Sequence, residues 1–169
     1  KRDFDLSITS RQETHQIELN NFKITSYNFT DNKFDNSIDK KLKEANYILI
    51  SIPPIEGKDI VAKYFDKNLQ GITNCKWITY LSATSVYGDH KGEWVNENSA
   101  TKPTSPNGSN RLAAENTWKK LSNKHKYPLQ IFRLAGIYSN EFNILKRLQT
   151  GKLQVCLLYT SDAADETVS

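Results

Sequence analysis

The 169-residue chain contains no methionine, and it has only two cysteines, five prolines and seven glycines. The two cysteines, Cys75 and Cys156, are too few for a disulfide framework, and without further ligands at short spacing they predict no metal site. The longest apolar run, YILISIPPI (47–55), is far shorter than the roughly 20 residues that cross a bilayer. Because no secretory leader is recognisable, the chain is expected to be cytoplasmic.

The sequence also lacks a concentrated block of one charge. Its 23 basic and 19 acidic residues give a net charge of +4, and the lysines are spread over several predicted helix faces. A nucleic-acid-binding surface typically clusters basic and aromatic residues in one stripe. The pattern therefore predicts a solvated, lysine-rich surface with no nucleic-acid or membrane partner, and it leaves the oligomeric state open.

Both ends of the chain are unusual. KRDFDL (1–6) is typical of the end of a helix that enters a strand, so we expect a further segment before residue 1. Residues 153–169 contain three acidic residues and no basic one, and CLLYTSDAADE (156–166) resembles the translation of a sequencing adapter. These features predict a partial domain over 1–152, followed by a non-native or disordered tail over 153–169.

Short apolar runs alternate with helical patterns over most of the chain. Such alternation predicts an α/β fold with a parallel sheet, in which ligands bind beyond the carboxyl ends of the strands. A long irregular stretch follows the fourth strand, a position where loops commonly serve a site. The predicted strands are 4–10, 23–29, 47–53, 77–83 and 129–135, and the predicted helices are 37–45, 58–70, 107–123 and a segment around 142–148.

Five segments form a recognisable pattern when they are taken together. They are TSR (9–11), ISIPP (50–54), YLSATSVYGD (80–89), ENSATKPTSPNGSNRLAAE (97–115) and FRLAGIY (132–138). In this order and spacing they resemble the extended short-chain dehydrogenase/reductases, and within them an atypical branch similar to NAD-dependent epimerases and dehydratases. The resemblance covers nearly all of residues 4–150 and implies a Rossmann-like, doubly wound parallel sheet.

The resemblance also implies that one central element lies outside this sequence. The family's first strand and its Gly-rich turn, which binds the dinucleotide pyrophosphate, would precede Lys1. In the family's strand order this strand lies in the middle of the sheet. We therefore expect its absence to separate strand 4–10 from strand 47–53 and to leave two unpaired edges.

The family's catalytic set is a tyrosine, a lysine four residues later on the same helix face, and a Ser or Thr at the end of the preceding strand. The matching positions here are Asn107, Arg111 and Ala83. Asn107 has no ionisable proton, so carbonyl reduction by the usual route is not expected, whereas Arg111 keeps a charge for a ribose or phosphate. The remaining catalytic candidates are Thr84 and Tyr87, with packing inside the loop as the alternative for Tyr87.

The resemblance implies cofactor contacts at two further places. After the second family strand an acidic residue would bind the ribose of NAD, whereas a basic residue accommodates the phosphate of NADP. Ser10 and Arg11 lie there, so NADP is favoured over NAD, and the alternative is an exposed arginine after a strand. The adenine-side turn matches Ile52, Pro53 and Pro54, although prolines also simply end strands.

Together these features favour an NAD(P)-binding protein of this family, an oxidoreductase or epimerase-like enzyme that acts on a small or sugar-like metabolite. Because the usual catalytic residues are replaced, enzymatic activity stays open, and the alternative is a non-catalytic NADP(H) sensor. The predicted cofactor-binding residues are Ser10, Arg11, Ile52, Pro53, Pro54, Ala83 and Arg111. Glu97 and Glu115 are expected to be capping or surface residues.

Overall fold

The structure is a computed structural model that describes residues 5–19, 22–31, 33–68, 72–137, 139 and 149. In chain order its elements are β1 (Ser7–Ser10), β2 (His15–Leu19), β3 (Phe22–Asn28), α1 (Ser37–Glu44), β4 (Tyr47–Ile50), α2 (Ile60–Asn68), β5 (Trp77–Ala83), the short 3-10 helix η1 (Thr84–Val86), α3 (Pro106–His125) and β6 (Leu129–Leu134). The five predicted strands and the first three predicted helices are confirmed. The helix predicted around 142–148 and the predicted tail 153–169 lie outside the described residues.

The parallel strands form two separate groups. β4, β5 and β6 are parallel neighbours with β5 in the centre, so Tyr80 lies between Ile50 and Ile131. β1 and β3 are parallel in a second sheet. Among the described residues no strand pairs with the free edges of β1 and β4, as the sequence predicts. The fold is a Rossmann-like α/β arrangement in which the strands on either side of this gap are not joined.

Strand β2 is an element that the sequence-based prediction lacks. It pairs antiparallel with β3, with Leu19 opposite Phe22, so the two strands form a hairpin. Its sequence HQIEL has only two apolar residues and alternates half-buried and exposed positions without a fully buried one. The signal that could have revealed it is the pair of asparagines between β2 and β3, since such residues favour two-residue hairpin turns.

The main core lies between one face of the β4–β6 sheet and helices α2 and α3. Trp118 of α3 is 1% exposed, meets the Phe65 ring edge-on at a centroid distance of 5.1 Å, and stacks on Tyr80 at 6.2 Å. Burial of a side chain such as Phe65 contributes about 1.5–3 kcal/mol. This packing holds α3 against β5 and so determines where the first turn of the helix lies. Within the described ranges, no helix is long and apolar enough to cross a membrane.

Helix α3 begins close to the end of β5 for local reasons. Ser105 caps it, because the Ser105 hydroxyl accepts a hydrogen bond from the Gly108 amide at 3.1 Å, and Pro106 follows at the first helical position. Gly108 is buried against η1, where a Cβ would lie 2.6 Å from the Ser85 carbonyl oxygen. The glycine therefore lets the first turn of α3 approach the strand end.

Candidate functional site

The residues that the sequence singles out lie at the carboxyl ends of parallel strands. β4 and β5 pair with Ile50 opposite Tyr80, so the residues that follow the two strands emerge at the same edge. Thr9 near the end of β1 lines the same cavity, of about 90 Å³, as Ser51 and Ile52 after β4. The ends of β1 and β4 thus meet across the gap between the two sheets.

At the end of β1, backbone and side-chain hydrogen bonds hold the chain while the Arg11 side chain stays exposed. The Ser26 hydroxyl donates to the Ser10 hydroxyl at 3.0 Å, and the Asn28 side-chain amide donates to the Arg11 carbonyl oxygen at 3.1 Å. The Phe29 amide donates to the Ser10 carbonyl oxygen at 2.8 Å. These bonds place an exposed guanidinium at the carboxyl end of the strand, where it is available to an anionic ligand.

The turn after β4 presents its three residues differently. Ile52 is half-buried and packs against the hydrophobic core, Pro53 is exposed, and Pro54 is buried. Pro53 is therefore the member of this turn whose side chain faces solvent at the strand edge. Pro54 lies four residues after the last residue of β4, and its burial keeps it away from solvent at this edge.

Ala83, Asn107 and Arg111 come together where β5 meets α3. Ala83 is the last residue of β5, and Asn107 is exposed in the first turn of the helix. Arg111 follows one turn later, and its Nη1 donates to the Leu81 carbonyl oxygen at 2.9 Å. The three positions that match the family's catalytic set thus share one location, but none of these side chains carries a hydroxyl group.

Tyr80 does not replace the missing catalytic tyrosine, although the Arg111 charge acts on its phenol. Burial raises the pKa of Tyr80 far above its usual range, and the Asp59 carboxylate adds to this, while Arg111 lowers it only in part. The residue is 0% exposed. A proton donor must reach its substrate, and the buried Tyr80 phenol cannot. Tyr80 is therefore a core residue and not a catalytic one.

Thr84 begins η1, and Tyr87 directly follows it. Thr84 is half-buried, and its carbonyl oxygen accepts a hydrogen bond from the Tyr87 amide at 3.0 Å. Tyr87 is 7% exposed, its ring centroid lies 4.7 Å from the Arg133 guanidinium carbon, and it meets the His90 ring edge-on at 6.2 Å. These contacts favour packing at the base of the following loop as the role of Tyr87.

The prediction that Glu115 is a capping or surface residue is wrong. Glu115 is completely buried, and Arg133 of β6 donates from Nε and Nη2 to its two carboxylate oxygens at 3.0 and 2.8 Å. Burial by itself would raise the pKa of Glu115, but the hydrogen bonds from the Arg133 guanidinium and its positive charge outweigh burial and hold the pKa below its ordinary value. The available sequence signal was helical spacing, since Glu115 lies three residues before Trp118 on the core side of α3.

Comparison with known proteins supports the fold. No protein-family model matches the sequence, and no curated protein matches it. A functionally unknown conserved protein from Silicibacter pomeroyi DSS is 35% identical, with 68% of this chain and 38% of that chain covered and a TM-score of 0.54.

Two solved epimerases have a similar structure. UDP-N-acetylglucosamine 4-epimerase from Bacillus cereus is 19% identical, with 83% of this chain and 55% of that chain covered and a TM-score of 0.61. UDP-glucuronic acid 4-epimerase from Bacillus cereus, in complex with UDP-glucuronic acid and NAD, is 18% identical, with 75% and 46% covered and a TM-score of 0.52. The chain thus spans about half the length of these epimerases, and at such identities the likeness establishes the shared fold.

Proposed function

We propose that this chain is part of an NAD(P)-binding protein of the extended short-chain dehydrogenase/reductase family, in an atypical epimerase/dehydratase-like branch. We propose further that the whole protein acts on a small or sugar-like metabolite. The observation that carries the proposal is the meeting of Ala83, Asn107 and Arg111 where β5 joins α3, at the strand edge where this fold binds ligands. The fold shared with an epimerase that was solved with NAD supports a nicotinamide cofactor.

The residues at this edge suit the ends of a dinucleotide better than its middle. The exposed Arg11 suits a ribose phosphate, and the guanidinium of Arg111 lies beside the end of β5. The sequence contains no Gly-x-Gly-x-x-Gly turn, the element that brings backbone amides to a pyrophosphate. A bound nicotinamide would supply hydride transfer, and the contribution of this chain is to bind and orient the cofactor. We therefore expect the chain alone to bind a dinucleotide loosely.

NADP is proposed ahead of NAD because an arginine stands at the ribose end, although the epimerase cited above contains NAD. We expect Arg11→Ser to lower the affinity for NADPH roughly 10- to 100-fold, since a charge-assisted hydrogen bond contributes about 1.5–3 kcal/mol. The affinity for NADH should not change, because NADH lacks the phosphate. Isothermal titration calorimetry with both nucleotides measures the two affinities.

The matched control is Lys23→Ser, which removes one exposed positive charge near the start of β3. Because β1 and β3 are parallel, this position lies at the end of the sheet away from Arg11. This variant should leave the NADPH affinity unchanged. A parallel loss of NADPH and NADH binding in Arg11→Ser, or an equal loss in the Lys23 variant, would refute the role of Arg11. Tighter binding of NADH than of NADPH by the unaltered chain would assign NAD.

A non-catalytic NADP(H) sensor is the second candidate function. It is favoured because none of three candidate residues can readily donate a proton to a ligand. Asn107 has no ionisable proton, Tyr80 is inaccessible and Tyr87 packs against Arg133. A panel of carbonyl compounds and sugar nucleotides separates the two functions. Consumption of NADPH with any member excludes the sensor, whereas binding without turnover favours it over the enzyme.

A further inference from the structure

The loop between Gly88 and Lys102, called the 88–102 loop below, leaves the carboxyl end of β5 and returns to it. The Lys102 amide donates to the Tyr87 carbonyl oxygen at 3.1 Å, and Gly88 and Lys102 form an isolated bridge. A Cβ on Gly88, whose φ is +70°, would lie 1.8 Å from the Lys102 carbonyl oxygen, so this closure requires glycine. Both ends of the loop are therefore held near Ala83, at the proposed ligand edge.

Hydrogen bonds inside the loop order its outer part. A ring nitrogen of His90 lies 3.0 Å from the Ala100 carbonyl oxygen, and the Glu93 amide donates to the His90 carbonyl oxygen at 3.0 Å. The Ser99 amide donates to the Asn96 carbonyl oxygen at 3.0 Å and closes a second turn. Trp94 lies between the two turns and is 100% exposed. An indole is a large apolar surface that gains free energy when a partner covers it.

The charge of the loop narrows the choice of partner. Residues 89–97 contain the carboxylates of Asp89, Glu93 and Glu97 and one lysine, in a chain whose net charge is +4. This local negative charge disfavours a phosphate and favours a cationic group. The oxidised nicotinamide ring is a planar cation, and the face of an indole attracts such a cation.

We propose that Trp94 contacts the oxidised nicotinamide ring of a dinucleotide bound at the carboxyl ends of β4 and β5. The inference rests on the proposed function. It adds a binding residue that is not among the cofactor-binding positions predicted from the family resemblance. Trp94 is six residues from Gly88. Six residues span at most about 20 Å even when extended, so the indole lies within that distance of Gly88 and of the strand edge beside it.

Nuclear magnetic resonance of the unaltered, 15N-labelled chain tests the proposal, even when binding is weak. The three tryptophans provide internal controls, because Trp118 is in the core and Trp77 begins β5 at the end away from the site. A Trp94→Phe variant identifies the Trp94 indole signal. Titration with NADP⁺ or with oxidised nicotinamide mononucleotide should move that signal and leave the Trp118 and Trp77 signals in place.

Two further probes separate the nicotinamide from the rest of the cofactor. Adenosine 2′,5′-bisphosphate, which has no nicotinamide, should leave the Trp94 signal unchanged, and NADPH, whose nicotinamide is uncharged, should move it less than NADP⁺. Removing the ring with Trp94→Ala should weaken NADP⁺ binding roughly 2- to 30-fold, the range of a cation–π contact. Trp94→Phe, which keeps an aromatic face, should weaken it less.

The outcomes distinguish this inference from the function on which it rests. If NADP⁺ moves the backbone signals of Ile52 and Ala83 but not the Trp94 indole, the inference is overturned and the proposed function stands. An equal response of Trp94 to adenosine 2′,5′-bisphosphate also overturns it. If no signal responds to NADP⁺, both the inference and dinucleotide binding by this chain are overturned.

Discussion

Placing one additional strand between β1 and β4 is expected to raise the melting temperature of the chain by roughly 3–12 °C. The reason is that two strand edges, each with apolar side chains, have no partner in the described structure. Ile8 on β1 is 37% exposed, and Leu49 on β4 is 65% exposed. Their exposed fractions add up to about one whole side chain, so covering them contributes about 1.5–3 kcal/mol. About 1 kcal/mol shifts the melting temperature of a domain of this size by roughly 2–4 °C.

The experiment joins a designed apolar strand and a Gly-rich turn to the start of the chain and follows unfolding by circular dichroism. The same extension should tighten NADPH binding, because the turn supplies backbone amides to the pyrophosphate. The matched control carries a proline in the middle of the added strand, which removes a ladder hydrogen bond. Equal melting temperatures and equal NADPH affinities for the extended and unaltered chains would refute the expectation of a missing central strand.

Apolar runs in the sequence predicted every strand except β2, which has few apolar residues. Strand β5 has three consecutive buried residues, Ile78 to Tyr80, and was predictable because a central parallel strand is covered on both sides. Strand β2 has only two apolar residues, Ile17 and Leu19, so its sequence carries little apolar signal. It forms because β3 has an edge with which β2 can form backbone hydrogen bonds. That edge belongs to the neighbouring strand, so the sequence of β2 itself does not reveal it.

The candidate site was predictable in position but not in the partners of its side chains. Order and spacing of motifs indicated that Ala83, Asn107 and Arg111 share one place, and the contact of Arg111 with the Leu81 carbonyl oxygen agrees. The pairing of Glu115 with Arg133 joins residues 18 positions apart on different elements. Such a pair depends on how α3 packs against β6, which a local pattern does not encode.

Glu115→Gln is expected to lower the free energy of unfolding by about 3–5 kcal/mol at neutral pH, because it leaves a cation without its counter-charge in a largely buried position. The Arg133 side chain is 13% exposed, and the Glu115 side chain is 0% exposed. The loss should depend on pH. The pKa of Glu115 in the fold lies below its ordinary value of 4.5, so its stabilisation is complete above that pH and disappears as the pH falls through the folded pKa.

Urea unfolding of the variant and the unaltered chain at a series of pH values measures this effect, and the two stabilities should converge in acid. Lys119→Gln is the matched control, because Lys119 Nζ lies 3.7 Å from the same carboxylate but its side chain is 50% exposed. An exposed pair contributes about 1 kcal/mol or less, so the control should lose little.

A second variant, Glu115→Leu with Arg133→Met, removes both charges and should recover most of the lost stability. An equal loss in the Lys119 variant, or a difference that persists in acid, would contradict the buried ion pair. Arg133 also packs against Tyr87 at the base of the 88–102 loop. When Glu115→Gln removes the carboxylate that holds Arg133 in place, that loop should therefore be the first region to loosen.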